Sequence, residues 1–150
     1  MNPSNLIISP VLMAGLISWT IGQTLKVPLE YLRIHSWNWS LLFSAGGMPS
    51  THSALMSSIT LSIGLFDGFN STLFALAFAL SMVVMYDATG IRRQAGIHAQ
   101  KINILVNELF SGQPISEEQL KEVLGHSPLQ VLMGFLLGSM VSIIIWLIFR

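Results

Sequence analysis

The sequence predicts an all-α integral membrane protein: one membrane-embedded domain over residues 1–150, with about four transmembrane spans and an amphipathic helix in a long polar loop. Three observations predict it. The 150 residues are 52% hydrophobic and only 9% charged, with a mean hydropathy of +0.66, whereas soluble domains carry about 25% charged residues. Four apolar runs recur along the chain, separated by short polar strings. The last run, 128–149, contains no charge over about 22 residues, enough to cross a hydrocarbon core. A soluble helical bundle is the competing reading, and that uncharged run argues against it.

Run one is Leu6–Leu25, about 20 residues, the length a bilayer requires. Pro10 and Gly15 interrupt it, which membrane helices tolerate. The start, MNPSNLIISP, lacks the basic region and small-residue cleavage site of a signal peptide, so run one is expected to be retained as a span. Run two, from about Pro49 to Phe66, is short and rich in Ser and Thr. Run three is Ser71–Tyr86. DGFN at 67–70 reads as a tight turn that joins these two into a helical hairpin. Both are short for a bilayer, so they are expected to tilt little or to sit deep in the bundle. Run four is Pro128–Phe149, with Ser127 and Gln130 placed as a capping box and Pro128 at the first helical position.

The loop from Asp87 to Ser127 carries its own pattern. Ile91, Ala95, His98, Ile102, Leu105 and Leu109 recur at alternating spacings of four and three. They form one apolar helical stripe, with Arg92, Arg93, Gln100, Lys101, Asn103, Asn107 and Glu108 mostly off it. This helix is expected either to lie on the membrane surface or to wall the polar ends of the spans. SGQP at 111–114 ends it, and Ser116 with Gln119 reads as the capping box of a short helix ending near Gly125.

Charge fixes an expected orientation. Lys26 and Arg33 follow run one, while Arg92, Arg93, Lys101 and Lys121 follow run three. Two spans separate those loops, so they share a side, and only Arg150 lies opposite. The positive-inside rule makes the shared side cytoplasmic, most simply at the plasma membrane, with both termini outside. A net charge of zero implies no bulk attraction to nucleic acid. The absence of cysteine removes disulfide and thiolate chemistry.

Three polar strings hold a cation or an imidazole at the mouth of an apolar run: KVPLEYLR at 26–33, GGMPSTHSA at 46–54 and GHSPLQVLMG at 125–134. Ionisable groups at a membrane edge are costly and default to a functional reading. In the second string, paired glycines precede a helix start, where free N–H groups and the dipole favour an anion. Ser50 suits the N-cap, and His52 can give a proton to a leaving oxygen or bind a phosphate. The plain alternative is a capped helix with an interfacial histidine. In the third string the cap explains Ser127 and Gln130 but not His126, which can act as a nucleophile if a neighbour fixes its tautomer. Lys26 and Arg33 are seven apart and can share a helix face, yet such cations are also ordinary topology anchors. Arg92 and Arg93 open the amphipathic helix, where cations oppose the dipole, so a bound phosphate or Asp87 would have to favour them. His98 lies on the apolar stripe and is expected to be a packed structural histidine. His35 sits among Trp37 and Trp39, an interfacial belt.

Together the strings resemble the type 2 phosphatidic acid phosphatase and vanadium haloperoxidase superfamily. Its signatures are Lys-x6-Arg-Pro, Pro-Ser-Gly-His and Ser-Arg-x5-His-x3-Asp. Lys26 and Arg33 match the first, with Ile34 for the proline; Pro49, Ser50 and His52 match the second, with Thr51 for the glycine. The tail of the third matches His126 and Gln130, and its arginine corresponds to Arg92 or Arg93 across an insertion. The combination is similar to a divergent bacterial and plant branch labelled acid phosphatase/vanadium-dependent haloperoxidase-related, and it covers about residues 5–150. The resemblance implies His126 as nucleophile and His52 as general acid. It implies Lys26, Arg33, Ser50 and one of Arg92 and Arg93 as the phosphate cradle. Gln130 stands where the superfamily has the orienting carboxylate. The implied activity is a metal-independent membrane phosphatase for a lipid or isoprenoid phosphate, working through a phosphohistidine, with no cofactor and with vanadate as a phosphate mimic. The implied partners are membrane lipid and the phosphorylated lipid itself. The rival reading is a non-catalytic phospholipid- or phosphate-binding membrane protein that kept the cradle.

Overall fold

The structure is a computed structural model that describes residues 9–44, 46–109 and 125–150, and within 91–109 the side chains of 94, 96–99 and 101–106. All regular elements among the described residues are helical: α1 (Pro10–Ile34), a 3-10 turn (Trp39–Phe43), α2 (Thr51–Asp67), α3 (Thr72–Thr89), α4 (Ile91–Leu109) and α5 (Pro128–Phe149). The expected capping box at Ser116 and Gln119 lies outside the described residues.

α1 starts with Pro10 in its first turn and ends at His35, whose left-handed backbone (φ 53°) donates its N–H to Tyr31 O. It runs nine residues beyond the expected end of run one, so Lys26 and Arg33 lie on the helix and not in a loop after it. Pro28 removes one helix hydrogen bond but does not stop the helix. Hydropathy falls at Leu25, whereas the helix-forming pattern continues through Leu29, Tyr31 and Leu32.

α2 and α3 form the expected hairpin. Ser50 caps α2 by accepting from Ser53 N, and Ser71 caps α3 by accepting from Phe74 N. Gly68 takes φ 95° in the turn between them, a conformation open to glycine without a Cβ penalty.

α2 is the central helix, packed on α1, α3 and α5. What it buries is polar or small: Ser53, Ala54, Ser57, Ser58, Thr60, Ser62 and Gly64. Their hydroxyls join neighbouring helices. Ser62 Oγ and Ser142 Oγ lie 2.8 Å apart, Ser57 Oγ donates to Phe135 O at 3.2 Å, and Ser18 Oγ donates to Ala54 O at 3.1 Å. α5 approaches through Gly134 and Gly138, whose added Cβ atoms would collide with Ser50 O and Ala54 O. The large apolar side chains point outward: Phe78, Leu80 and Val83 on α3, and Leu136, Ile144 and Ile148 on α5. Hydroxyls and glycines inside with hydrocarbon outside is the packing logic of helices in lipid, the reverse of a soluble core.

α3 and α5 are long and apolar enough to cross a bilayer; α2 has 17 residues. Run three does not sit deep in the bundle. Only Ala77, Ser81 and Ala88 of α3 are buried, because α3 touches the bundle along one narrow stripe of small residues. α4 packs on the end of α3. It turns Gly96 and Asn103, one heptad apart, inward and leaves Ile102, Ile104 and Leu105 exposed. His98 is exposed with them, so it is not the packed histidine that the stripe implied. A 3.6-residue period marks an apolar face but does not say whether protein or lipid receives it.

Candidate functional site

Three helix ends meet at one end of the bundle: the N-termini of α2 and α5 and the C-terminus of α3. Backbone bonds join them. His126 N donates to Ala88 O at 3.0 Å, and Ser50 N donates to Gln130 O at 3.0 Å. The first bond fixes the residue before the α5 N-cap against the last turn of α3. The second fixes the residue before α2 against the first turn of α5.

These bonds bring His52 and His126 together. Their ring centroids are 6.5 Å apart and their planes 51° apart. His126 is 6% exposed, and its Nδ1 lies 3.3 Å from Gln130 Oε1. An amide oxygen only accepts, so the pairing places a proton on Nδ1. The same Oε1 accepts from Ser127 N at 2.9 Å, while Gln130 N donates to Ser127 Oγ at 3.3 Å. Gln130 therefore caps the helix and holds the imidazole with one oxygen. The dipoles of two helices, 17 and 22 residues long, both present their positive ends here.

Lys26 is 1% exposed and lies under the segment that leads into α2. Its Nζ donates to Ser44 O at 2.7 Å. Gly47, at φ 94°, passes over the lysine stem, and an added Cβ would stand 3.5 Å from Lys26 Cδ. The Met48–Pro49 peptide is cis. Ser50 is fully buried, and its Oγ accepts from Ser53 N and from Ser53 Oγ at 3.0 Å, which is the cap role read from the sequence. Arg33 is exposed, two turns beyond buried Lys26, so the seven-residue spacing does not give the two cations one environment. The backbone of Arg92 and Arg93 lies in the first turn of α4, shortly after Ala88; their side chains lie outside the described residues. Asp87 is half-buried on the last turn of α3.

Gln23 is a participant that the sequence reading missed. Its Nε2 is within hydrogen-bond reach of Leu41 O, Leu42 O and Ser44 O at 3.3, 2.6 and 3.2 Å. It ties the 3-10 turn to α1 one turn before Lys26. The available signal was a lone amide inside an apolar run. Beside the site, Leu25, Leu29, Met48, Pro49, Met133 and Met140 line an apolar groove between α1 and α5 of about 690 Å³.

The sequence profile of the Divergent PAP2 family matches residues 7–141. The uncharacterized membrane protein YuiD of Bacillus subtilis (strain 168) is 36% identical over 145 residues, covering 89% of this chain and 92% of that protein. No solved structure matches. The profile match takes in Lys26, Ser50, His52, His126 and Gln130, and the chain belongs to the Divergent PAP2 family.

Proposed function

We propose that the chain is a membrane-embedded lipid-phosphate phosphatase, with α1, α2, α3 and α5 as its four spans and the histidine pair as its reaction centre. The observation that carries this reading is the placement of His52 and His126 at 6.5 Å between centroids, with the His126 Nδ1 proton directed to Gln130 Oε1. In the first step His126 Nε2 attacks phosphorus. The phosphorus–oxygen bond to the lipid breaks, and the leaving oxygen takes its proton from His52. In the second step water gives a proton back to His52 and attacks the phosphohistidine. Inorganic phosphate leaves and His126 is restored. The helix N-termini and the cations of the cradle favour the charge on the transferring group. The membrane-protein name of the Bacillus relative and the outward-facing hydrocarbon support the embedding, and the positive-inside rule favours the cytoplasmic face of the plasma membrane for the site.

Gln130 favours a second reading, a phosphate or phospholipid binder without turnover. Its amide holds the imidazole but brings no charge to stabilise an imidazolium. Loss of the equivalent carboxylate in a serine-protease triad lowers turnover about 10⁴-fold. The deciding assay is phosphate release from a lipid phosphate by purified protein with no added metal. Release supports the phosphatase. No release from any lipid phosphate, together with saturable anion binding, supports the binder.

Gln130→Glu tests the cause of any weak activity. A carboxylate keeps both acceptor roles toward Ser127 N and His126 Nδ1, and it adds the missing charge. Turnover should rise by about tenfold or more, a fraction of the triad effect, with the thermal unfolding midpoint unchanged. Unchanged turnover at unchanged stability would remove Gln130 from the orienting role and make Asp87 the next position to test.

A further inference from the structure

We infer that the apolar chain of the phosphorylated lipid lies in the gap between α3 and α5, and that the Phe69–Phe74 pair closing this gap limits the chain length accepted. The inference rests on the reading of the histidine pair as a phosphate site.

α3 and α5 both pack on α2 but scarcely touch each other. The space between them is about 580 Å³, and α2 forms its floor. One end lies nearer the histidine pair. Met85 lies one turn before Ala88, whose carbonyl holds His126 N. Ser57 and Phe135, which line the same space, follow His52 and Gln130 by five residues each, or about 8 Å of helix rise. Two aromatic rings stand at the other end. The Phe69 and Phe74 rings meet edge to face with centroids 5.1 Å apart. Phe69 is seated over Gly64, where an added Cβ would collide with its ring. From Met85 to Phe74 the wall of α3 extends about 16 Å.

The chemistry of the floor selects the occupant. Ser57, Thr60 and Ser81 all line the gap, but their hydroxyl protons are already engaged. Ser57 Oγ donates to Phe135 O, Thr60 Oγ1 and Ser81 Oγ pair at 2.6 Å, and Ser81 Oγ also reaches Met56 O at 3.2 Å. A polar ligand would find no donor among these three and only a single further hydroxyl, Ser139 on the α5 wall, whereas hydrocarbon meets aromatic rings, methionine and leucine side chains. Charge completes the match. Helix N-termini and imidazoles beyond the near end suit an anionic head, and the apolar gap suits its tail. Hydrocarbon already dissolved in lipid gains little by entering such a gap. The gap therefore acts on which chain fits rather than on affinity per carbon.

The test is calorimetric binding of n-alkylphosphonates, from ethyl to hexadecyl, to the full chain in lipid nanodiscs. Wild-type affinity should peak at one chain length and fall for longer chains. Phe74→Ala should move the peak to longer chains. Phe78→Ala, at a more exposed place in the same wall, serves if Phe74→Ala does not fold. Ser139→Leu, which fills the gap from α5, should weaken long-chain binding about tenfold, the cost of modest overpacking, and leave ethylphosphonate binding unchanged. A flat length profile with normal ethylphosphonate binding would overturn the chain assignment and leave the phosphate site standing. So would a profile that ignores these variants but responds to Met140→Trp, which blocks the groove between α1 and α5. Failure to bind any phosphonate would overturn both readings.

Discussion

Replacing His126 with alanine should abolish phosphate release while the helical bundle stays folded. The imidazole supplies the atom that bonds to phosphorus, so its removal leaves only binding and the electrostatics of the cradle. Loss of a nucleophile in an enzyme with a covalent intermediate lowers turnover by about 10⁶-fold. Alanine keeps the backbone bond that ties this position to α3, from the N–H of His126 to Ala88 O. Stability should fall by only about 1 kcal/mol. His98→Ala is the matched control: His98 is exposed on α4 and should keep most of the activity. Both variants are compared by phosphate release and by circular-dichroism melting in detergent. Equal loss in both would mean that His126 is not the nucleophile.

The largest effect on folding is expected at α5. Adding one methyl group at Gly134 or Gly138 puts a carbon against the carbonyl of Ser50 or Ala54, and these backbone atoms cannot swing aside as a flexible side chain can. Either Gly134→Ala or Gly138→Ala should force α5 away from α2 and break the Ser62–Ser142 hydroxyl pair and the Ser57–Phe135 bond. The expected loss is about 3 kcal/mol, the upper range for overpacking a tight interface. Gly134→Ala should also weaken phosphate-analogue binding, because Ser50 leads into the α2 end of the site. Gly46→Ala is the contrast, since its added Cβ meets only Ser44 Oγ at an ordinary 3.7 Å. Thermal unfolding of the three variants beside the wild type checks this order.

Much of the helical layout was legible because its punctuation is local. Ser50 and Ser127 are caps that depend on a side chain and the N–H three residues on, and the turn at 67–70 depends on Gly68. Apart from the end of α1, the helix boundaries fall within a few residues of the runs they were read from. The end of α1 was not legible in the same way, since a hydropathy drop at Leu25 marks a change of solvent and not the end of a helix. The orientation of α4 was hidden for a related reason: the stripe with His98 shows which residues are apolar, while their exposure depends on what surrounds them.

In the site, His52 and His126 are far apart in sequence, and their strings could each be explained by a helix cap. Their proximity was an expectation of the family resemblance rather than of spacing. In the structure it follows from two backbone bonds, to Ala88 O and Gln130 O, made by groups that every residue carries and that no sequence pattern marks. Gln23 escaped notice because an amide in an apolar run signals a buried bond without naming its acceptor. Arg33 shows the opposite error, in which regular spacing to Lys26 suggested a shared environment that the end of the helix does not provide.

In the proposed mechanism His52 and His126 serve one anion at the joined ends of α2, α3 and α5. The most direct measurement is an experimental structure of the full chain with orthovanadate. Vanadium bonded to His126 Nε2, with His52 hydrogen-bonded to a vanadate oxygen and Gln130 Oε1 still on Nδ1, is the predicted result. Vanadate bound elsewhere in the bundle, or held by one histidine with the other turned away, would contradict it.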